Sequence, residues 1–292
     1  MTLEALAARA GVSYQYLSGV ETGQKNFTIQ VLETLANALD LSVEQLVALA
    51  YGPAGTTAPP LVKTTAPTLD TAYLRPAVPL PEGLTVNNLT DAVNRTLSII
   101  HKINCNMIRE VGKPLQGLIQ GNNFSGLVSN IFSNAIDQYT PYKNNHDQKY
   151  PDLINQQANQ GTGEGLEVKT TINIGKGGES HNGHSGWHVV ACYQFLESGD
   201  IVFVHIMFAK LIGHMDTASD WKYLGSRVNK DTGSRRTETY TTNLKGTTKL
   251  RDGSVYFDKA RINNPKWQQE RAPGEAPPSW SIFCAENRAS PI

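Results

Sequence analysis

Two carboxylates and a lysine near the middle of the chain have the residue types and spacing of a divalent-cation site. Asp152 follows Pro151, and after fourteen further residues the chain reads Glu167-Val168-Lys169. Because side chains alternate along a strand, Glu167 and Lys169 share one face of such a strand, roughly 7 Å apart. If Asp152 comes from a neighbouring strand, two carboxylates and an ammonium group converge. Mg²⁺ prefers such carboxylate oxygens and keeps several of its waters.

The Pro-Asp and Glu-x-Lys pattern resembles that of the PD-(D/E)xK nuclease superfamily, which includes most type II restriction endonucleases. The resemblance implies that Asp152, Glu167 and the carbonyl group of Val168 bind Mg²⁺. It also implies that Lys169 orients or activates the attacking water. Independently of the family, a metal ion in such a site neutralises phosphate charge and lowers the pKa of its bound water. The alternative is a strand that ends in an ordinary Glu/Lys surface pair, because short acid-x-Lys matches are common.

A glycine-rich polar segment follows, from Gly175 to His188. Its glycines allow the backbone to approach a ligand closely, and its polar side chains suit phosphates and base edges. We expect it to be a loop that faces DNA beside the scissile phosphate. The predicted DNA-binding residues are Lys176, Ser180, His181, Asn182 and His184. A plain mobile loop is one alternative. Another is a zinc site built on the three histidines, although zinc usually needs four well-spaced ligands and no cysteine lies nearby.

Positive charge is concentrated towards the end of the chain, where residues 222–271 hold twelve Lys/Arg against five Asp/Glu. Paired arginines with Ser, Thr and Asn suit guanine recognition at O6 and N7 and the binding of phosphates. We expect this segment to read DNA through Arg227, Lys230, Arg235 and Arg236. Alternation through Thr237 to Thr242 indicates strands, with turns at Gly233 and Gly246. A solvated hairpin is the alternative.

The first fifty residues have the pattern of short helices with tight turns. Thr2 and Ser13 are placed to cap two helices, and Gly11 between them suits the left-handed conformation that ends a helix. The segments that carry a family resemblance are Thr2-x-x-x-Leu6-Ala7, Gly11-Val12-Ser13, Glu21-x-Gly23 and the Leu-Ser-Val-Glu-Gln-Leu sequence from Leu41. Together they resemble the Cro/phage-repressor type of helix-turn-helix domain.

That resemblance implies that the helix after Ser13 enters the major groove of DNA. Its exposed side chains would be Tyr14, Gln15, Tyr16 and Ser18, and the amide of Gln15 suits bidentate recognition of adenine. Residues 1–50 carry two basic side chains against five acidic ones, which weakens the attraction to phosphates. A docking or dimerisation module without DNA binding is therefore the alternative.

The remaining pattern predicts an α+β fold. Residues 51–82 hold seven of the fifteen prolines and predict an extended, semi-stiff linker that ends near Glu82. Helical periodicity follows from Asn88, and two apolar segments, Trp187 to Leu196 and Ile201 to Leu211, predict a hairpin. We therefore expect a helix-turn-helix domain (1–50), the linker (51–82), and a mixed-sheet, restriction-endonuclease-like core flanked by helices (83–292).

Composition narrows the class of protein. The 292 residues have zero net charge, so the whole molecule does not act as a polycation. Three widely separated cysteines fit neither a disulfide framework nor paired metal-ligand spacing, and indicate buried thiols in a reducing cytoplasm. The sequence contains no apolar run of membrane-spanning length and no signal peptide. We expect a cytoplasmic protein with no membrane contact.

The leading hypothesis is a Mg²⁺-dependent type II restriction endonuclease that cuts double-stranded DNA at a specific site. Its two-fold homodimer would match the symmetry of a palindromic site, and a protective DNA methyltransferase would be its functional partner. One alternative is a helix-turn-helix transcriptional regulator whose large C-terminal domain senses a ligand or oligomerises. Another is a repair or defence nuclease without strict sequence specificity.

Overall fold

The computed structural model describes residues 2–22, 25, 28–46, 65–146, 150–157, 165–181, 183–225, 239–262, 270–274 and 276–284, with the backbone alone at 179–181. The chain divides into two compact units. One comprises Met1–Pro60 with Asn106–Lys113, and the other comprises Leu61–Cys105 with Pro114–Ile292.

Short capped helices form the first unit: α1 (Leu3–Arg9), α2 (Tyr14–Glu21) and α3 (Ile29–Ala38), followed by a helical turn at residues 43–46. Each of the three helices begins at a hydroxyl N-cap that accepts a backbone N–H three residues on. Gly11 between α1 and α2 has a φ of 65°, as the sequence predicts. A small core holds the helices together and includes Ala7, Ala10, Leu17, Leu35 and Ala38.

The second unit contains the long helix α4 (Val86–Val111) as far as Cys105, the long helix α5 (Gly121–Tyr139), a short helix α6 (Leu244–Asp252) and two sheets. Single 3₁₀ turns lie at Thr71–Tyr73 and Leu115–Gly117. The larger sheet has the order β1-β2-β3-β5-β6-β9. Its strands are β1 (Tyr142–Asn144), β2 (Leu153–Asn155), β3 (Gly165–Thr171), β5 (Gly186–Phe195), β6 (Ile201–Leu211) and β9 (Ser254–Phe257).

Within this sheet β3 and β5 are parallel, and the other neighbouring strands are antiparallel. The predicted hairpin is confirmed as β5 and β6. The smaller sheet joins three short strands in the order β4-β8-β7: β4 (Glu179–His181), β8 (Thr239–Thr242) and β7 (Trp221–Gly225). The second unit is thus a mixed-sheet α+β structure, the class that the sequence predicts.

Both faces of the larger sheet are covered. One face contributes to a cluster with the helices that includes Leu97, Phe132, Leu166, Val168 and Val189. The other face contributes to a second cluster that includes Val190, Cys192, Met207, Trp221 and Leu250. The alternation predicted for β3 is therefore present, because Leu166 and Val168 lie in the first cluster. None of the three cysteines forms a disulfide among the described residues, and only Cys192 is buried as expected, whereas Cys105 and Cys284 are half-buried. No helix within the described ranges is long and apolar enough to cross a bilayer.

Three local expectations differ from the structure. Residues 65–82 are not only a linker: Leu69 and Val78 are buried in the first cluster, so the second unit starts before the boundary expected near Glu82. Gly246 does not turn a strand but lies in α6, where an added Cβ would stand 2.4 Å from the Asp220 carbonyl oxygen. His188, which the glycine-rich segment and the predicted hairpin segment from Trp187 both included, belongs to the hairpin strand β5 and not to the loop.

Candidate functional site

Asp152 and Glu167 meet because β2 and β3 are antiparallel neighbours. Leu153, which follows Asp152, pairs with Leu166, which precedes Glu167. The side chain of Asp152 reaches further along β3, where its Oδ2 accepts the backbone N–H of Val168 at 2.8 Å. The expected contribution of Asp152 from a neighbouring strand is therefore present.

Glu167 and Lys169 project from the same face of β3, as strand alternation requires. Lys169 Nζ lies 2.6 Å from Glu167 Oε1, so the two side chains form an ion pair. The Glu167 side chain is 9% exposed and that of Lys169 is 34% exposed. We call Asp152, Glu167 and Lys169 the acid centre. Asp152 is half-buried like Lys169, so Glu167 is the most buried of the three.

Burial and mutual repulsion dominate the electrostatics of the acid centre. The pKa of Asp152 is raised, first by burial and then by the negative charge of Glu167. The positive charge of Lys169, the hydrogen bond from Val168 and the nearby His188 oppose this rise in pKa. The protein thus holds Asp152 close enough to Glu167 for the charge of Glu167 to disfavour the ionisation of Asp152, a situation that a bound cation would relieve.

The donor groups of the acid centre suit a hard divalent cation. Among the described residues, no three His, Cys, Asp or Glu side chains cluster closely enough to hold a metal ion by themselves. Mg²⁺ is commonly bound through one or two carboxylates and several waters, so two carboxylates suffice. The Val168 carbonyl oxygen accepts a hydrogen bond from Ser129 Oγ at 3.1 Å. Because a carbonyl oxygen has two lone pairs, one further interaction remains open to it.

His188 lies beside the acid centre on β5, directly opposite Glu167 in the parallel register. Its Nδ1 donates to the Gly186 carbonyl at 3.0 Å. Burial lowers the pKa of His188 to about 4, so the ring is neutral at physiological pH. Sequence reasoning counted His188 both in the glycine-rich segment and in the predicted hairpin, but it did not predict that His188 would lie opposite Glu167.

Aromatic rings surround the imidazole of His188. The ring of Tyr150 is stacked on His184 at 4.3 Å between centroids and lies 6.1 Å from His188. Trp221 is tilted against His188 at 5.3 Å and donates its indole N–H to the His184 carbonyl at 3.1 Å. Burial lowers the pKa of His184, while the charge of Glu167 opposes that shift. We call the rings of Tyr150, His184, His188 and Trp221 the aromatic wall, which lies next to the acid centre because His188 pairs with Glu167.

A cleft of about 950 Å³ opens beside Lys169. It lies between the end of β3, the start of α5 and the segment from β8 to α6. Its polar lining includes Asn122, Lys169, Lys176, Thr242, Asn243 and Arg251. Lys169 therefore belongs to both the acid centre and the cleft, so a substrate in the cleft would reach the reactive groups through it.

The structure brings some of the predicted loop residues to this region. Lys176 is exposed and lines the cleft, and His184 belongs to the aromatic wall. The backbone of Ser180 and His181 forms β4, which pairs with β8. The predicted residues Asn182, Arg227, Lys230, Arg235 and Arg236 lie outside the described residues.

The basic segment 222–271 is less available to DNA than its composition indicates. Four of its described side chains form ion pairs within the protein: Lys249 with Asp220 at 2.6 Å, Arg271 with Asp252 at 2.6 Å, Arg261 with Asp258 at 3.4 Å and Arg251 with Glu270 at 3.8 Å. Arg251 is also buried, and its Nε donates to the Gly175 carbonyl. Part of the local excess of positive charge therefore stabilises the fold instead of forming a surface for DNA.

The first unit contains two successive short helices joined by a tight turn. Helices α1 and α2 are joined by residues 10–13, and Ser13 caps α2. A family model described as Helix-turn-helix matches residues 1–46. These residues form a helix-turn-helix domain. No curated protein and no solved structure matches the chain.

The four residues predicted for DNA contact in the helix-turn-helix domain differ in exposure. Tyr14 and Gln15 are exposed at the start of α2, whereas Tyr16 and Ser18 are half-buried. Lys25 Nζ lies over the Tyr16 ring, 5.8 Å from its centroid. Such helix N-terminal positions contact base edges in helix-turn-helix proteins, so Tyr14 and Gln15 have the better access.

Proposed function

We propose that this chain is a DNA-binding protein whose second unit hydrolyses phosphodiester bonds with a divalent cation, Mg²⁺, at the acid centre. One observation carries the proposal: Asp152 and Glu167 are held together although burial and their mutual repulsion raise the pKa of Asp152. Such an arrangement is unfavourable without a positive partner, and perturbed carboxylates of this kind cluster at functional sites. Lys169, 2.6 Å from Glu167, supplies only one positive charge.

Different residues of the acid centre would have different roles in the reaction. Asp152, Glu167 and the Val168 carbonyl are the groups that would hold the cation. When bound, the cation supplies charge neutralisation at the phosphate and a lowered pKa for its water. Lys169 extends from Glu167 to the cleft and can orient a water or a phosphate oxygen there. The aromatic wall limits access of bulk water, which strengthens these electrostatic interactions.

The helix-turn-helix domain supports DNA as the substrate, because the same chain then carries both a DNA-binding domain and the acid centre. We extend the proposal to a type II restriction endonuclease that acts as a homodimer and is paired with a protective methyltransferase. One acid centre cuts one strand, and two related by a two-fold axis match a palindromic duplex. Sedimentation of the chain with and without its target DNA tests the dimer, and a monomer in both states contradicts it.

The decisive experiment is cleavage of plasmid DNA by the full chain in Mg²⁺, with EDTA as the negative control. We expect Asp152→Asn and Glu167→Gln to lower the rate at least about 100-fold, since both remove a charged oxygen from the cation. DNA binding in a gel-shift assay should persist. Glu197→Gln, which changes an exposed carboxylate in the β5–β6 turn, is the matched control and should cut normally. Wild-type cleavage by the Asp152 variant would contradict the proposal.

A helix-turn-helix transcriptional regulator is the second candidate. One observation favours it: the family match stops at residue 46 and covers the DNA-binding domain alone. In that case the chain binds one operator sequence and leaves it intact in both Mg²⁺ and Mn²⁺. Random-sequence selection followed by incubation of the selected DNA with metal distinguishes the two functions in one experiment.

A further inference from the structure

His188 has an unusual hydrogen-bonding position next to the acid centre. It is 2% exposed, and its partner across the parallel β3–β5 pair is Glu167. Paired residues on adjacent strands project to the same face of a sheet, so the imidazole and the Glu167 carboxylate start from neighbouring backbone positions. The charges of Lys169 and Asp152 both act on the ring, which places it within electrostatic reach of these two members of the acid centre.

The two nitrogens of His188 are in different situations. A carbonyl oxygen only accepts, so Nδ1 must carry the proton that it donates to Gly186. Nε2 of the neutral ring is then an acceptor. Within the described part of the chain, this buried Nε2 has no hydrogen-bond partner. Leaving a buried acceptor unsatisfied is unfavourable, so such positions usually face a water or a ligand.

The neighbouring donors do not satisfy His188. The indole N–H of Trp221 is directed to the His184 carbonyl at 3.1 Å. The hydroxyl of Tyr150 donates to the Ser185 carbonyl. Both rings therefore pack against the imidazole while their polar groups are directed elsewhere. This leaves Nε2 as an acceptor in a pocket of aromatic surface beside two carboxylates and a lysine.

We propose that His188 is a positioning residue of the acid centre, whose Nε2 accepts a hydrogen bond from a water bound to the cation at Asp152 and Glu167. This inference rests on the proposed function, because it requires the cation site. Direct ligation is not part of it, since no three potential ligand side chains in the described ranges cluster closely enough. Partners that orient a metal site through its outer shell typically change metal affinity or activity by about 10–100-fold.

Two substitutions test the roles of Nδ1 and Nε2 of His188 separately. In His188→Asn the amide nitrogen can replace Nδ1 as the donor to Gly186, while the acceptor at Nε2 is lost. In His188→Gln the amide oxygen can reach the position of Nε2 and keep an acceptor there. The probe is Mn²⁺ alone, titrated into the full chain without DNA and followed by the electron paramagnetic resonance signal of free Mn²⁺. Thermal unfolding of the metal-free variants reports any effect on folding.

We expect the wild-type protein to bind Mn²⁺ and Asp152→Asn to weaken that binding. The affinity of His188→Asn for Mn²⁺ should be about 10–100-fold lower than that of wild type, whereas the affinity of His188→Gln should lie within a few-fold of wild type. If His188→Asn binds Mn²⁺ as tightly as wild type, or if His188→Gln loses as much Mn²⁺ affinity as His188→Asn, the role of His188 is overturned while the proposed cation site remains supported. If wild-type protein binds no Mn²⁺, the proposed function fails and the inference falls with it. If His188→Asn does not fold, the test rests on His188→Gln: retained Mn²⁺ binding supports the positioning role of His188, and lost Mn²⁺ binding overturns it.

Discussion

Replacing Gly165 with alanine should displace Asp152 from Glu167 without altering either residue. Gly165 opens β3, and a Cβ at this position would lie 1.9 Å from Pro151 Cγ and 3.0 Å from the Leu153 carbonyl oxygen. An ordinary carbon contact needs at least 3.4 Å, so the Pro151 ring must move by about 1.5 Å. Asp152 is the next residue and moves with it.

Gly165→Ala should affect both the stability of the protein and the geometry of the acid centre. Forcing an extra methyl group into a packed site typically costs about 1–3 kcal/mol of unfolding free energy. Misplacing reactive groups by about 1 Å can lower a rate roughly 100-fold. We therefore expect Gly165→Ala to melt at a lower temperature and to bind Mn²⁺ more weakly. If the chain is the proposed nuclease, cleavage should fall about 100-fold, with DNA affinity unchanged.

The matched control is Gly126→Ala on α5, where an added Cβ meets nothing within 4 Å. The same chemical change there should stabilise the protein by about 0.5–1 kcal/mol, because alanine restricts the unfolded chain and favours helix. The assays are urea unfolding, Mn²⁺ titration and plasmid cleavage on both variants. Wild-type Mn²⁺ affinity in Gly165→Ala, together with the expected loss of stability, would refute the claim that this contact positions Asp152.

Three further predictions use other features of the structure. Lys249→Met should lower the free energy of unfolding, measured in urea, by about 3 kcal/mol, because it leaves the buried carboxylate of Asp220 without its ammonium partner. The salt dependence of DNA binding should not change. Asp152→Asn should be more stable than wild type at pH 7 without metal, because the pKa of Asp152 is raised in the folded state and its ionisation therefore favours the unfolded chain. The stability of the wild type thus declines as the pH rises from the unfolded-state pKa to the folded-state pKa of Asp152. In thermal unfolding this advantage should vanish at pH values below the ordinary aspartate range. Removing residues 1–60 should leave a cooperative unfolding transition, whereas removing residues 1–82 should lower its midpoint, because the longer deletion takes buried side chains from the core.

Local patterns in the sequence were enough to predict the elements that carry the acid centre. The alternation of apolar and polar residues around Glu167 and Lys169 depends only on strand geometry, and β3 has it. The hairpin of β5 and β6 was predictable from two apolar runs around a Gly-Asp turn. The caps at Thr2 and Ser13 were equally local, since each bonds a backbone N–H three residues away.

Features that depend on distant contacts were not predictable. His188 faces Glu167 only because β5 is parallel to β3, and a parallel register is fixed by the path of the connecting chain. The acidic partners of Lys249 and Arg271 lie 29 and 19 residues away, so charge counting along the chain could not pair them. The proline-rich stretch before Glu82 gave no sign that Leu69 and Val78 would be buried.

The alternation along β3 separates packing from chemistry within one strand. Leu166 and Val168 belong to the apolar cluster with the helices, whereas Glu167 and Lys169 project from the opposite face. Mutation of the polar positions therefore leaves the packing of the apolar face intact. If the chain is the proposed nuclease, one or two substitutions in this strand would end cleavage during evolution and still leave a folded DNA-binding protein. The same separation would then give protein engineers a non-cleaving form that keeps its architecture, for use as a reagent that marks DNA.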